Sequence, residues 1–164
     1  MGFALAEACA ERGAEVTLVA GPVSLKTHHP AIKRIDVESA GEMYQAAMTA
    51  FPSSDAAILC AAVADYRPEN ASEQKIKRET EREMTLHLVP NPDIAASLGA
   101  IKREGQVMVG FALETNDEAT HAEGKLKRKN LDFIVLNSLR DQGAGFRCDT
   151  NKITIIDNAG GVTS

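Results

Sequence analysis

Apolar positions along this chain fall into two rhythms, short unbroken runs and stripes spaced three to four residues apart. Their alternation predicts strands separated by helices. The runs are Glu15–Ala20 (EVTLVA), Ile32–Val37, Ala56–Val63 (AAILCAAV), Val107–Ala112 (VMVGFA), Leu131–Asn137 and Lys152–Asp157. The first stripe, in Met1–Arg12, turns Phe3, Leu5 with Ala6, and Cys9 inward and Glu7, Glu11 and Arg12 outward, and Gly13 closes that helix. Ser39 and Glu42 form a capping box for a helix through Ala50 with Met43, Ala47 and Phe51 along its stripe, stopped by Pro52. Asn91-Pro92 reads as a cap followed by proline at the first helical position, opening a helix to about Arg103 with Asp93 as the acid in its first turn. Thr115 and Glu118 form a second capping box for a helix over Asn116–Lys129. Met84–Val89 alternates as a half-buried or edge strand in which His87 is packed, Ser138–Asp149 is a glycine-containing loop, and the closing NAGGVTS is a turn.

Strand–helix alternation of this kind specifies an α/β fold, a Rossmann-like, doubly wound, mostly parallel sheet in a single domain with right-handed crossovers and room for a strand pair after the polar arm described below. The unbroken apolarity of Ala56–Val63 predicts a central strand covered on both faces. At 164 residues the chain is long enough for one domain with a real core, and aromatics at 4% leave that core to Ala, Val, Ile and Leu. Lys plus Arg number 18 against 23 Asp plus Glu, and the net charge of −5 argues against nonspecific nucleic-acid binding. No apolar run approaches the ~20 residues that span a bilayer. Cys9, Cys60 and Cys148 are too widely spaced for a metal or redox motif and read as reduced thiols of a cytoplasmic protein. The neighbouring His28 and His29 point opposite ways in an extended segment with no further ligand at metal spacing, so they read as solvated loop, and no metal-ligating set is identified.

The stretch Ala56–Arg78 carries the candidate chemistry. In open α/β sheets ligands sit where strands end. Here the strand ends in Ala61, Ala62 and Ala64, which leave the backbone bare for a flat ring or a phosphate, and Asp65 offers a carboxylate at the mouth. Lys75, Lys77 and Arg78 follow on a polar arm. Small floor, acid at the edge and cations on a flap read as a nucleotide pocket; the other reading is a buried strand followed by an ordinary surface loop. Lys125 and Lys129 lie one turn apart on a helix, either as a solvated basic end or as a clamp for a triphosphate. Neither GxGxxG nor a P-loop occurs, so a Rossmann oxidoreductase or a Walker-type nucleotidase is unsupported.

The blocks AAVADYRP, KIKR, NPDI, VGFALET and KLKRKNLDFIVLN, in this order and spacing, resemble the phosphopantothenate–cysteine ligase domain of bacterial bifunctional coenzyme A biosynthesis proteins from Met1 to about Asp157. The resemblance implies one ligase-like domain over residues 1–164 with a flap over about 66–82. It implies CTP-dependent joining of 4′-phosphopantothenate and cysteine through an acyl-cytidylate, with Mg²⁺, in a cytoplasmic homodimer whose sites are shared across the interface. FMN enters only where a decarboxylase domain precedes this one. Carried over by position, the nucleotide contacts fall on Cys60, Ala61, Asp65, Asn91, Pro92, Asp93, Ile94, Phe111, Lys125 and Lys129, and the acyl-transfer centre on Lys75. The resemblance also implies a strand and a polar glycine-containing loop ahead of the first helix, neither of which this sequence contains, so the expected sheet lacks its first strand. A non-catalytic nucleotide-binding or dimerisation fragment of the same fold is the competing reading. CTP rests on the resemblance, since the pocket chemistry read from the residues does not separate cytosine from adenine.

Overall fold

In the computed structural model, residues 1–72, 74–76, 84–114, 124–138 and 153–163 are described. Helix α1 (Gly2–Glu11) leads into β1 (Val16–Ala20), which pairs in parallel with β2 (Ile32–Asp36). Ala6 and Ala10 are the buried residues of α1, and Gly13 at φ +91° turns the chain out of it, a left-handed conformation that glycine adopts without strain. Helix α2 (Ala40–Ala50) opens as its sequence predicts, with Ser39 Oγ accepting from the Glu42 amide at 3.1 Å. The Glu42 carboxylate reaches back past the cap to the Glu38 amide at 2.8 Å, and that backbone donor holds its pKa below the usual carboxylate range. A single 3₁₀ turn, Phe51–Ser53, carries the chain round to β3 (Ala56–Leu59).

The main sheet has five strands in the order β3, β6 (Val107–Glu114), β7 (Phe133–Ser138), β8 (Ile153–Asp157), β9 (Val162–Thr163). Its first three strands are parallel, and β8 and β9 are added antiparallel, so the sheet is mostly parallel at the end where the predicted pocket lies. Between β3 and helix α3 (Ile94–Ile101), β4 (Tyr66–Pro68) and β5 (Leu88–Pro90) form a separate antiparallel ribbon at the base of the arm.

The core lies on one face of the main sheet. Met108 and Ala112 of β6, Ile134 and Leu136 of β7 and Ile156 of β8 pack there against Phe51, Leu98 of α3 and Leu126 of the helical stretch 124–128. Ala57 and Leu59 of β3 join this cluster. The other face is less covered than the apolar run predicts: Ile58 is 40% exposed and Phe133, two strands away in the same register, 38%. The expectation that both faces of the central strand are covered is therefore corrected among the described residues. An unbroken apolar run reports that a strand is apolar on both sides, not that a layer lies against each.

Other boundaries differ for identifiable reasons. The central strand stops at Leu59, four residues before the apolar run does, because Cys60–Ala64 bends away to the ribbon. β5 starts at Leu88, and His87, expected to be packed, is exposed with Nδ1 2.8 Å from a Glu69 carboxylate oxygen. Helix α3 is capped by Asp93, not Asn91, and ends at Ile101. β7 begins at Phe133; Asp132 just before it bonds its N–H to the Met108 carbonyl at 2.9 Å, and its carboxylate takes the Lys102 ammonium at 2.7 Å and 2.8 Å and the Met108 amide at 2.7 Å. The final residues are more than a turn: Asp157 Oδ1 accepts from the amides of Ala159 and Gly161 and folds β9 back onto β8. The predicted Thr115–Glu118 capping box, Lys77, Arg78 and Cys148 lie outside the described residues.

Candidate functional site

The candidate site is built at the carboxyl end of β3, where the backbone leaves the sheet. Leu59 is the last residue paired to β6, opposite Gly110, so Phe111 stands one step further along β6, beside Cys60. Gly110 lets Leu131 lie directly on β6, since a Cβ there would come within 2.7 Å of Leu131 Cδ1. The Cys60 thiol is half-buried against the first turn of α1, and burial pushes its pKa up, so it is a packing group and not a thiolate nucleophile. Ala61, Ala62 and Ala64 are exposed, which leaves main chain open to a ligand as the sequence suggests.

The NPDI segment is tied down here. Asn91 donates its backbone N–H to the Asp65 carbonyl at 2.8 Å and its side-chain Nδ2 to the Ala64 carbonyl at 2.9 Å. Arg67 Nη1 donates to the Pro90 carbonyl at 2.8 Å and to Asn91 Oδ1 at 3.2 Å. Both ends of the Asn91 side chain are thus engaged within the chain. Asn91 acts as a latch that holds the Ala64–Asp65 bend against the start of α3, and this explains why it does not cap the helix. Pro92 fixes the backbone between latch and cap, and Ile94 packs against the core.

Asp93 holds two partners. Its Oδ1 accepts from the Ala96 amide at 3.0 Å, the N-cap bond of α3, and its carboxylate meets the Lys129 ammonium at 2.9 Å. Burial works to raise its pKa, but the hydrogen bonds from Lys129 and Ala96 and the charges of Lys129 and Arg128 outweigh it and hold the carboxyl below its ordinary value. Lys129 is brought to this position by backbone: its N–H bonds to the Lys125 carbonyl at 3.0 Å, placing the two lysines one turn apart as expected. Gly99 lets α3 lie directly on that turn, since a Cβ there would collide with the Lys129 carbonyl.

Of the residues proposed from sequence, the structure gathers Cys60, Ala61, Asp65, Asn91, Pro92, Asp93, Ile94 and Phe111 along the end of β3 and β6. It joins Lys129 to them through Asp93 and leaves Lys75 exposed on the arm between β4 and β5. Among the described residues no hydrogen bond or ion pair links Lys75 to the others. Sequence reasoning missed Arg67 and Gly99. The signal for Arg67 was its place two residues beyond Asp65, facing the residues just before Asn91 across a ribbon whose register only pairing defines.

Among the described residues no group of three His, Cys, Asp or Glu is placed to hold a cation. The donor set suits Mg²⁺ carried on a nucleotide's own phosphates, with a single carboxylate such as Asp65 at hand, better than a protein cage.

Comparison with known proteins agrees with this architecture. The profile of the DNA/pantothenate metabolism flavoprotein C-terminal domain matches residues 1–164. A protein named cysteine/cysteine sulfinic acid decarboxylase, from an unknown prokaryotic organism, is 57% identical over 162 residues, 99% of this chain and 45% of that protein. The coenzyme A biosynthesis bifunctional protein CoaBC of Vibrio parahaemolyticus serotype O3:K6 is 51% identical over 156 residues, 94% of this chain and 39% of its own length. The crystal structure of the C-terminal domain of a CoaBC protein superposes with a TM-score of 0.79 at 34% identity, over 99% of this chain and 70% of that one. The chain spans less than half the length of these two curated relatives.

Proposed function

We propose that this chain, which belongs to the DNA/pantothenate metabolism flavoprotein C-terminal domain family, joins 4′-phosphopantothenate to cysteine with cleavage of CTP in coenzyme A biosynthesis. The observation that carries the reading is the exposed Ala61, Ala62 and Ala64 at the end of β3, set beside the latched NPDI segment, which the Lys129 ammonium reaches through Asp93 as a cation suited to phosphate. The likeness to the CoaBC C-terminal domain supports it. On this reading residues 1–164 form one ligase-like domain with its flap at about 66–82, working as a cytoplasmic homodimer.

In the first half-reaction a carboxylate oxygen of 4′-phosphopantothenate attacks the α-phosphorus of CTP, the bond to the β-phosphate breaks and pyrophosphate leaves. In the second the amine of cysteine attacks the acyl carbon, loses a proton and expels CMP. The chain's part is to position the reactants and stabilise anions. Main-chain groups at Cys60 and Ala61 read the edge of the base, Phe111 packs on its face or on the ribose, and Asp65 accepts from an amino group or a sugar hydroxyl. Lys125 and Lys129 hold the outer phosphates; Lys129 has three donors and keeps Asp93 while doing so. Lys75 closes over the acyl-phosphate centre from the arm, which shields a hydrolysable intermediate from water. Mg²⁺, when bound with CTP, neutralises the charge of the triphosphate.

Pyrophosphate release by the intact protein, with 4′-phosphopantothenate and either CTP or ATP, with and without cysteine, tests the proposal. Release confined to CTP is expected, with CMP and the ligated product appearing only when cysteine is added. CTP binding without release selects a non-catalytic nucleotide-binding module. Release of CO₂ from cysteine without nucleotide would instead select the activity named for the 57% identical relative.

A further inference from the structure

We propose that Glu69 and His87 clasp the root of the arm in a pH-dependent way, holding it firmly when the imidazole is charged and loosely when it is neutral. The ribbon from which the arm springs pairs Tyr66 with Pro90, Arg67 with Val89 and Pro68 with Leu88. Pro68 and Pro90 have no N–H to give, so its ladder is short of donors. A two-stranded ribbon is marginal in water even with a full ladder. Side chains therefore decide how well its two ends hold. At one end Arg67 and Asn91 form the latch onto the Ala64–Asp65 bend.

At the other end, next to the arm, Glu69 faces His87. The Glu69 N–H donates to the His87 carbonyl at 2.9 Å, and His87 Nδ1 lies 2.8 Å from Glu69 Oε2. Main chain and side chains thus close the same pair. Beyond it the chain runs out through Lys75 and back with no further bond across the two limbs among the described residues. Alternation along the strands puts Arg67, Glu69, His87 and Val89 on one face of the ribbon. The charged groups of that face are Glu69, in contact with the imidazole, and Arg67, nearer the latch with its Nη1 on the Pro90 carbonyl and Asn91 Oδ1. Asp65 stands beyond Arg67, where its carbonyl takes the Asn91 N–H. Among the described residues no other charged side chain is bonded to Glu69 or His87.

An imidazole changes charge between about pH 5 and 8, above the range in which a carboxylate does. Lowering the pH through that span makes the Nδ1–Oε2 bond a charge-assisted one, and raising it takes the charge away. Both side chains are largely exposed, 76% for His87 and 49% for Glu69, so solvent screens the pair. Its charge therefore shifts the opening of the root by only about two- to fivefold. A shift of that size counts here, because the end of a ribbon lacking donors opens at little cost. On the ligase reading above the arm brings Lys75 to the acyl-phosphate centre, and the clasp makes that delivery depend on pH. The clasp itself stands without that reading.

Amide hydrogen exchange of the intact protein between about pH 5.5 and 8 tests this without any need for turnover. The amide at position 69, bonded to the His87 carbonyl, reports the root, and that of Asn91, bonded to the Asp65 carbonyl, serves as the reference at the latch. Protection relative to an unstructured chain at the same pH removes the intrinsic dependence of exchange on pH. In the unmodified protein the ratio of protection at position 69 to that at Asn91 is expected to rise about two- to fivefold towards acid. Glu69→Gln and His87→Gln should each give a low ratio that is flat with pH. His87→Lys, which keeps a cation across the whole span, should give a high ratio that is also flat. A flat ratio in the unmodified protein would overturn the clasp, as would an acid-side rise that survives in Glu69→Gln. No protection at position 69 at any pH would show that the pair is not closed at all, and would remove the proposal too. None of these results depends on which reaction the protein catalyses, so the clasp and the ligase reading stand or fall separately.

Discussion

The Lys129 ammonium lies 2.9 Å from one oxygen of the Asp93 carboxylate and 3.1 Å from the other, joining the cap of α3 to the end of the helical stretch 124–128 between β6 and β7. Two separate sequence blocks, NPDI and KLKRKN, thereby meet at one point. Asp93→Asn keeps a capping side chain but loses the ion pair, and because the carboxylate is half exposed the expected loss of stability is only about 0.5 kcal/mol. Asp93→Ala loses the cap as well and is expected to cost about 1–2 kcal/mol. Urea unfolding of the two variants checks the ordering. Lys129→Gln is expected to weaken CTP binding much more than it lowers stability.

The same pair sets an acid sensitivity. The carboxyl of Asp93 titrates below its unfolded value, so the stability it contributes is fully present above the ordinary carboxylate range and is lost as pH falls through the depressed folded value. Unfolding midpoints measured downward from neutral pH should therefore fall less steeply for Asp93→Asn than for the unmodified protein in that acidic window, and the two should run parallel above it.

Gly99 is the residue that lets α3 touch the turn bearing Lys129. Gly99→Ala would push a methyl group into the Lys129 carbonyl, backbone that cannot rotate away, and is expected to cost about 1–3 kcal/mol by overpacking. Because the displaced turn carries a proposed phosphate ligand, KM for CTP should rise along with the fall in thermal midpoint. A midpoint unchanged from the unmodified protein would show that the two elements are not held this closely.

Asn91 and Arg67 act together, so their effects should not add. Asn91→Ala removes the bond to the Ala64 carbonyl and strips Arg67 of one acceptor, at a cost of about 1 kcal/mol for each bond lost. A double-mutant cycle with Arg67→Met, read in KM for CTP, is expected to show coupling of at least about 0.5 kcal/mol. Independent effects would mean that the latch does not shape the nucleotide site.

Lys75 is exposed and makes no described bond that folding depends on. Lys75→Gln should therefore leave the unfolding midpoint in place while removing most turnover, with pyrophosphate release as the measurement. Retained turnover would take Lys75 out of the mechanism.

The hydrophobic rhythm alone was enough to locate most elements, because a strand or an amphipathic helix is specified by the burial of neighbouring positions. β1, β2 and α2 lie within a residue or two of the segments that periodicity predicts, and the Ser39 cap is in place. The blocks around Ala61–Asp65, NPDI and Lys125–Lys129 were legible as a strand end, a helix start and a helix end for the same reason, since these are local features; their reading as a nucleotide site rests on the family resemblance.

What remained hidden depends on contacts between distant residues. Asn91 and Asp93 are both good caps with nothing local to rank them; the Ala64 carbonyl, 27 positions away, claims Asn91 and leaves α3 to Asp93. The Asp93–Lys129 pair spans 36 positions and exists because α3 and the helical stretch 124–128 pack into the same core, with Leu98 and Leu126 in one cluster. The exposure of Ile58 and Phe133, the pairing of β9 and the burial of Thr27 Oγ1 likewise follow from which layers meet. The sequence by itself determined the elements and the kinds of side chain at their ends, since those follow from local periodicity and stereochemistry. Only the tertiary structure decided which partner each polar group takes, because a hydrogen bond between distant residues is chosen by the path of the chain that brings them together.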